Sequence, residues 1–175
     1  MGSELIKRGL TLPNHIWSAD ANIANPNIVQ KIHKEYVAAG ADYITCNTFR
    51  TTPRMYLKTG IDYEHSIQMA KHSLLLAVKH AQNATNDSIK IIGSIAPLED
   101  CYKPQLFPGK DVAIAEFSQL GKWLVDSGVD ILLLETMNSI AETEAGLVAI
   151  GNLELPIWAS FVLKDENCLL SGDSL

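Results

Sequence analysis

The stretch DILLLETM, residues Asp130 to Met137, is an unbroken apolar run that ends abruptly in a carboxylate. Ile131, Leu132, Leu133 and Leu134 show no polar alternation, the pattern of a strand buried on both faces in a parallel sheet covered by helices. Glu135 then stands at the C-terminal end of the strand. Open α/β sheets and (β/α)8 barrels place ligand chemistry there, because the loops leaving those ends converge on one face. The plainer alternative is that Glu135 caps the strand as a structural ion-pair partner.

Working outward, the same pattern occurs a second time. AGADYITCNTF (Ala39 to Phe49) and SGVDILLLETM (Ser127 to Met137) align Gly40 with Gly128, Asp42 with Asp130, Asn47 with Glu135 and Thr48 with Thr136, always 88 positions apart. A third apolar run, Ile89 to Ile95, lies between them. In a (β/α)8 barrel alternate strands feed the same layer of side chains, so Asn47 and Glu135 are expected to face one ligand from one height.

The chain in order predicts strands at about residues 42 to 49, 89 to 95, 130 to 136 and 157 to 163, all parallel and separated by helices long enough for right-handed crossovers. Asn25-Pro26 opens a helix with an apolar stripe of Ile28, Val29, Ile32, Tyr36 and Val37, and Gly40 stops it. A second helix starts near Asp62 and buries Ile67, Ala70, Leu74 and Val78; a third runs from Asp111 to Ser127. Ser139 with Glu142 three residues on reads as a capping box. RTTPRMYLKTGID and LEDCYKPQLFPGK are expected as long loops after the first two strands, whereas the helix-to-strand links are short. Long loops on one face mark the functional end of a barrel, with Asn47, Thr48, Ser94, Glu135 and Thr136 at their roots. Gly93 and Ser94 suggest either a close backbone approach or a bulge.

Bulk properties narrow the function. The 175 residues, 47% hydrophobic, are enough for one domain with a core. A net charge of −6 argues against a nucleic-acid or membrane-surface partner. There is no apolar signal region and no bilayer-length apolar run, so a cytoplasmic location is expected. Neither GxGxxG nor GxxxxGK[ST] occurs, and no GxSxG elbow supports a serine hydrolase.

Cys46, Cys101 and Cys168 lack CxxC or CxxxH spacing, and Cys46 reads as a small buried hydrophobe. His65, His72 and His80, spaced seven and eight apart on one helix, read as a solvated face rather than metal ligands. Trp17, in HIWSADANI, is either a lid over a pocket or a plug beneath the loop.

The stretches MGSELIKRG, IWSADANIANPNIVQKIHKEYVAAGADYITCNTF, IIGSIAP, GVDILLLETMNSIAE and PIWASFVLKDENCLLSGDSL resemble the homocysteine S-methyltransferases. That family includes betaine- and S-methylmethionine-dependent enzymes and the homocysteine domain of cobalamin-dependent methionine synthase. The resemblance implies an α/β fold of the (β/α)8 TIM-barrel type and methyl transfer to the homocysteine thiol, giving methionine, from a small methyl donor. It also implies a Zn2+ ion held by three cysteine thiolates, which activates that thiol. Residue by residue, Glu135 is similar to the carboxylate that binds the homocysteine ammonium. Asn47 and Thr48 resemble the strand-end pair lining the same pocket, with Thr136 beside them, and Trp17 an aromatic near the donor. Ser94 matches less well, since Ala96 stands nearby where the family has glycine.

The match is partial. Family members carry a strand ending in Asp-Gly-Gly before the MGSEL-like segment, and their zinc cysteines lie in a C-terminal half beyond the present residues. A complete barrel takes about 250 residues. The chain is therefore expected to hold roughly strands two to five of eight, as one incomplete domain over residues 1–175. Its own cysteines are not expected to bind zinc tightly, nor the chain alone to methylate homocysteine. Open edges near Tyr43 and Ile157 are expected to favour self-association or a complementing second chain. The alternative function is a non-catalytic half-barrel.

Overall fold

The computed structural model describes residues 1–174; Leu175, the last residue of the PIWASFVLKDENCLLSGDSL stretch, lies outside them. Helix α1 (Gly2–Lys7) leads to a 3-10 turn (Trp17–Asp20), α2 (Ala21–Ala24) and α3 (Pro26–Ala38). Strand β1 (Tyr43–Thr45), α4 (Pro53–Leu57), α5 (Tyr63–Gln82), β2 (Lys90–Ile95) and α6 (Lys110–Asp126) follow, with a 3-10 turn (Pro104–Leu106) before α6. Strand β3 (Ile131–Met137), α7 (Ile140–Ile150) and β4 (Ile157–Phe161) complete the order.

The four strands form one sheet in the order β1-β2-β3-β4, every neighbour parallel. This matches the expected arc of a (β/α)8 barrel, with strands close to the predicted positions. β1 is shorter than the expected 42 to 49. Its ladder continues one residue further, where the Cys46 N–H donates to Ile92 O at 2.8 Å. Beyond that the Thr48 side chain takes over: its hydroxyl donates to Ser94 O at 2.7 Å and accepts from Ser94 N at 3.0 Å. A side chain thus replaces the main-chain rung.

The repeated sequence produces a repeated backbone. Gly40 and Gly128 both adopt positive φ, +91° and +83°, at the turn from helix to strand, where an L side chain is strained. Asp130 then caps β2 by accepting from Ile91 N at 2.8 Å, with Lys90 3.0 Å from its other oxygen.

The sheet's two faces differ. Leu132 and Leu134 point to the helix layer and are fully buried, each contributing roughly 2 kcal/mol through burial. Gly93 is part of this layer: a Cβ there would meet Leu124 of α6 at 3.0 Å, so close helix packing, rather than a ligand or a bulge, explains this glycine. The register places Ser94 beside Leu133 and Leu133 beside Trp158 on the opposite, concave face. There the Tyr43 and Trp158 rings meet with centroids 5.1 Å apart. In a flat sheet β1 and β4 would stand about 14 Å apart, three strand spacings, so this contact reports barrel-like curvature.

Several helical expectations change. The segment after β1 is not all loop, because Thr52 caps α4 by accepting from Met55 N. Tyr36 lies outside the α3 stripe and is exposed, while His33 on the same helix is buried. His80 is also buried, its Nε2 3.0 Å from Asn22 O, so only His65 and His72 fit the solvated face. The capping box at Ser139 is half made. Ser139 accepts from Glu142 N at 3.3 Å, but the Glu142 carboxylate turns inward to accept from Leu98 N at 2.8 Å. Asp173 supplies a second cap by accepting from Ile140 N at 2.8 Å.

Helices α6 and α7 pack closely at Gly121, where a Cβ would lie 2.7 Å from Ile150 Cγ2 and 2.8 Å from Leu153 Cδ1. Ile150 is buried and β-branched, hence stiff in a helix. Gly121→Ala is expected to lower stability by about 1 to 2 kcal/mol, overpacking outweighing a gain of about 1 kcal/mol in helix propensity. Urea unfolding of both proteins checks this; a stabilised variant would show that α7 yields freely.

Candidate functional site

The C-terminal ends of the strands open into a cavity of about 940 Å³. Its wall includes Trp17, Asn47, Glu135 and Thr136 from the sequence-predicted set; Thr48 and Ser94 stand behind it. Ser94 reaches the site through Glu135, to whose Oε2 its hydroxyl donates, and Thr48 locks Ser94 in place through both backbone bonds. Glu135 makes no ion pair with any described residue.

Glu135 is aimed by an irregularity in β3. The β3–β4 register shifts between Leu134 and Met137, and Thr136 adopts φ +56°. A β-branched residue rarely takes that conformation, so the backbone is strained at the site. The Ser160 hydroxyl accepts from Thr136 N at 3.0 Å, holding the bulge from the neighbouring strand. Bulges of this kind re-aim side chains near functional sites.

Asn47 borders the same cavity but is spent internally. Its side-chain N–H groups donate to Ser18 O at 2.7 Å and Asn22 Oδ1 at 2.8 Å, and its Oδ1 accepts from the Ser18 hydroxyl at 2.6 Å. Asn22 returns a bond to Asn47 O at 3.0 Å and a second to Ser73 on α5. This buried network fastens the segment carrying Trp17 to the end of β1. Trp17 is 41% exposed with φ +47°. Its indole lies against Gly2, where a Cβ would come within 2.5 Å of Nε1.

The loops add charged groups that the sequence reading passed over. Arg54 pairs with Glu116 at 2.5 Å and with Glu99 at 3.0 Å, and Lys58 also pairs with Glu99. Arg50 lines the cavity and has no carboxylate partner. Nothing in NTFRTTPR distinguishes Arg50 from Arg54, since the stretch reads as one loop although Arg54 lies in α4.

The cysteines do not fit a zinc site. Cys46 and Cys101 border the cavity, but Cys168 sits in the tail, bridged to Ser174. No group of three or more His, Cys, Asp or Glu among the described residues is placed to hold a metal ion. Thiolate ligation requires deprotonation. Burial drives both cavity thiols the other way, raising Cys46 far above the ordinary thiol range and Cys101 less so.

A parallel four-stranded β/α arc with a strained, carboxylate-bearing cavity at its strand ends is the architecture of part of a (β/α)8 barrel. The chain belongs to the homocysteine S-methyltransferase family, whose profile matches residues 1–175. It is 27% identical over 191 residues to the homocysteine S-methyltransferase of Escherichia coli and 26% identical over 207 residues to a selenocysteine methyltransferase of Astragalus bisulcatus. All of this chain aligns in both cases, and it spans about 60% of the length of each. The crystal structure of the E. coli homocysteine methyltransferase MmuM in a metallated form superposes with a TM-score of 0.81 at 27% identity, covering 99% of this chain and 65% of that one. Its oxidized form gives 0.85 at 24% identity and speaks for the fold. No helix among the described residues is long and apolar enough to cross a membrane.

Proposed function

We propose that this chain forms the amino-acid-binding part of a homocysteine S-methyltransferase, which moves a methyl group from a small donor to the homocysteine thiol and yields methionine. The observation that carries this reading is Glu135, a carboxylate on the cavity wall with no basic partner, whose Oε2 is occupied by Ser94 and whose Oε1 has no hydrogen bond among the described residues. An ammonium group is the natural complement of such a carboxylate. Thr48 and Ser94 then act by orienting Glu135, Thr136 by the bulge that aims it, and Asn47 by holding the Trp17 segment. The half-exposed Trp17 ring offers a π-face to a sulfonium or ammonium methyl donor.

In the transfer the thiol loses its proton, the new S–CH3 bond forms, and the donor's onium bond breaks with its electron pair retained by the leaving sulfide or amine. Zinc belongs to this reading through the family, but the described cysteines do not fit it. The share of these residues is binding, orientation and cover, in one incomplete barrel domain over residues 1–175 with a cytoplasmic location.

A second reading, a non-catalytic half-barrel completed by another chain or a second copy, draws on β4. Trp158 and Phe161 on this edge strand are 42% and 43% exposed. Open edges with large apolar side chains favour association.

Glu135→Gln is expected to weaken L-homocysteine binding by about 1.5 to 3 kcal/mol, the value of a charge-assisted hydrogen bond. Calorimetric titration of the chain and its variant measures this directly. Equal affinity in both proteins would leave Glu135 without a substrate role and favour the half-barrel.

A further inference from the structure

Among the Lys, Arg, Asp and Glu side chains that line the cavity, two have no ion-pair partner among the described residues. Lys58 and Glu99 neutralise each other, and Asp100 lies 3.6 Å from Lys103. Of the arginines, Arg8 is held by Glu35 and Glu4, and Arg54 by Glu116 and Glu99. Arg50 and Glu135 remain, both lining the cavity, opposite in sign and not in ion-pair contact with each other.

Arg50 is fixed along one side. Its Nη1 donates to Glu99 O at 2.8 Å and lies 3.7 Å from Met55 Sδ, while the guanidinium sits 5.3 Å from the centre of the Phe49 ring. Its Nε and Nη2 have no hydrogen-bond partner among the described residues. That edge is one of the two-pronged donor faces by which a guanidinium grips a carboxylate. Cys101 and Thr136 line the same cavity as Arg50 and Glu135.

We infer that Arg50 is the carboxylate-binding residue of the site, so that Arg50 and Glu135 together select a zwitterionic α-amino acid over simple thiols, amines or acids. The inference rests on the amino-acid-binding reading above and adds what recognises the second charge. An α-amino acid carries its ammonium and carboxylate on one carbon, which leaves its side chain free of both charged contacts.

The test uses L-methionine, its decarboxylated amine methylthiopropylamine, and its deaminated acid methylthiobutyrate, titrated into the chain and into Arg50→Gln and Arg50→Lys. Methionine is expected to bind the unaltered chain at least about tenfold more tightly than the amine, as a charge-assisted pair implies. Arg50→Gln should lose about tenfold or more for methionine and for the acid while binding the amine unchanged, and Arg50→Lys should recover part of the loss. An equal loss for all three ligands would mean that Arg50 only tethers the loop through Glu99 O, and would overturn the inference. So would methionine binding that survives Arg50→Gln, which leaves the amino-acid reading standing. Failure of the unaltered chain to bind any of the three would overturn both.

Discussion

Asn47→Ala is expected to cost about 3 to 4 kcal/mol of folding stability, well beyond an ordinary surface change. The amide makes three short hydrogen bonds in a fully buried setting, to the Ser18 hydroxyl, Ser18 O and Asn22 Oδ1. Truncation leaves all three partners without their hydrogen bond to the amide, and an unsatisfied buried group costs about 1 to 3 kcal/mol. Asn22 also serves Ser73 on α5, so the loss should spread to the α2–α5 contact. Urea unfolding followed by tryptophan fluorescence measures the effect, since Trp17 lies on the segment that the network secures. A loss under about 1 kcal/mol would show that the network is replaceable and that Asn47 is free to serve a ligand instead.

Acid should destabilise the fold through His33. The imidazole is buried on α3, its Nε2 has no hydrogen-bond partner, and burial depresses its pKa to about 4, with smaller contributions from the N-terminal ammonium and His80. The unfolded chain titrates near 6.5. Between those values the unfolded state binds the extra proton, so stability rises with pH across the window and is lost as pH falls through it. A shift of about 2.5 units corresponds to roughly 3 kcal/mol. The full contribution is present above about pH 6.5 and is gone below about pH 4. The measurement is the stability of the chain minus that of His33→Leu, at pH 7 and at pH 4.5. The difference should move against the unaltered chain by about 2 to 3 kcal/mol on acidification. A difference independent of pH would place a proton on His33 in the folded state or water at its ring.

Much of the architecture was legible because it depends on local signals. Continuous apolar runs marked β2 and β3, helical periodicity marked α5 and α6, and the glycines at 40 and 128 marked the turns into β1 and β3. The strand-end position of Glu135 was legible for the same reason. The repeat, however, promised equal roles for Asn47 and Glu135, and the tertiary structure separates them. Asn47 finds Ser18 and Asn22 from a segment far away in sequence and is consumed, whereas Glu135 finds only Ser94. A polar residue's availability depends on what packs opposite it, and that is a long-range fact.

The same reason explains the other departures. Glu142 occupies a capping-box position but is drawn away by the orphan N–H of Leu98, a donor that exists only once the loop after β2 folds against α7. His80 has the spacing of a solvated histidine, yet α2 covers it and Asn22 O sits 3.0 Å from its ring. Arg50 and Arg54 look alike in NTFRTTPR, and only the positions of Glu99 and Glu116 leave one paired and the other open. The sequence by itself determined the parallel β/α order, the family and the strand-end carboxylate, because periodicity, turn glycines and motifs are encoded within a few neighbouring residues. The curvature that brings Tyr43 to Trp158, the bulge at Thr136 and the division of polar groups into paired and unpaired were decided only in three dimensions, because each arises between residues that the chain brings together from afar.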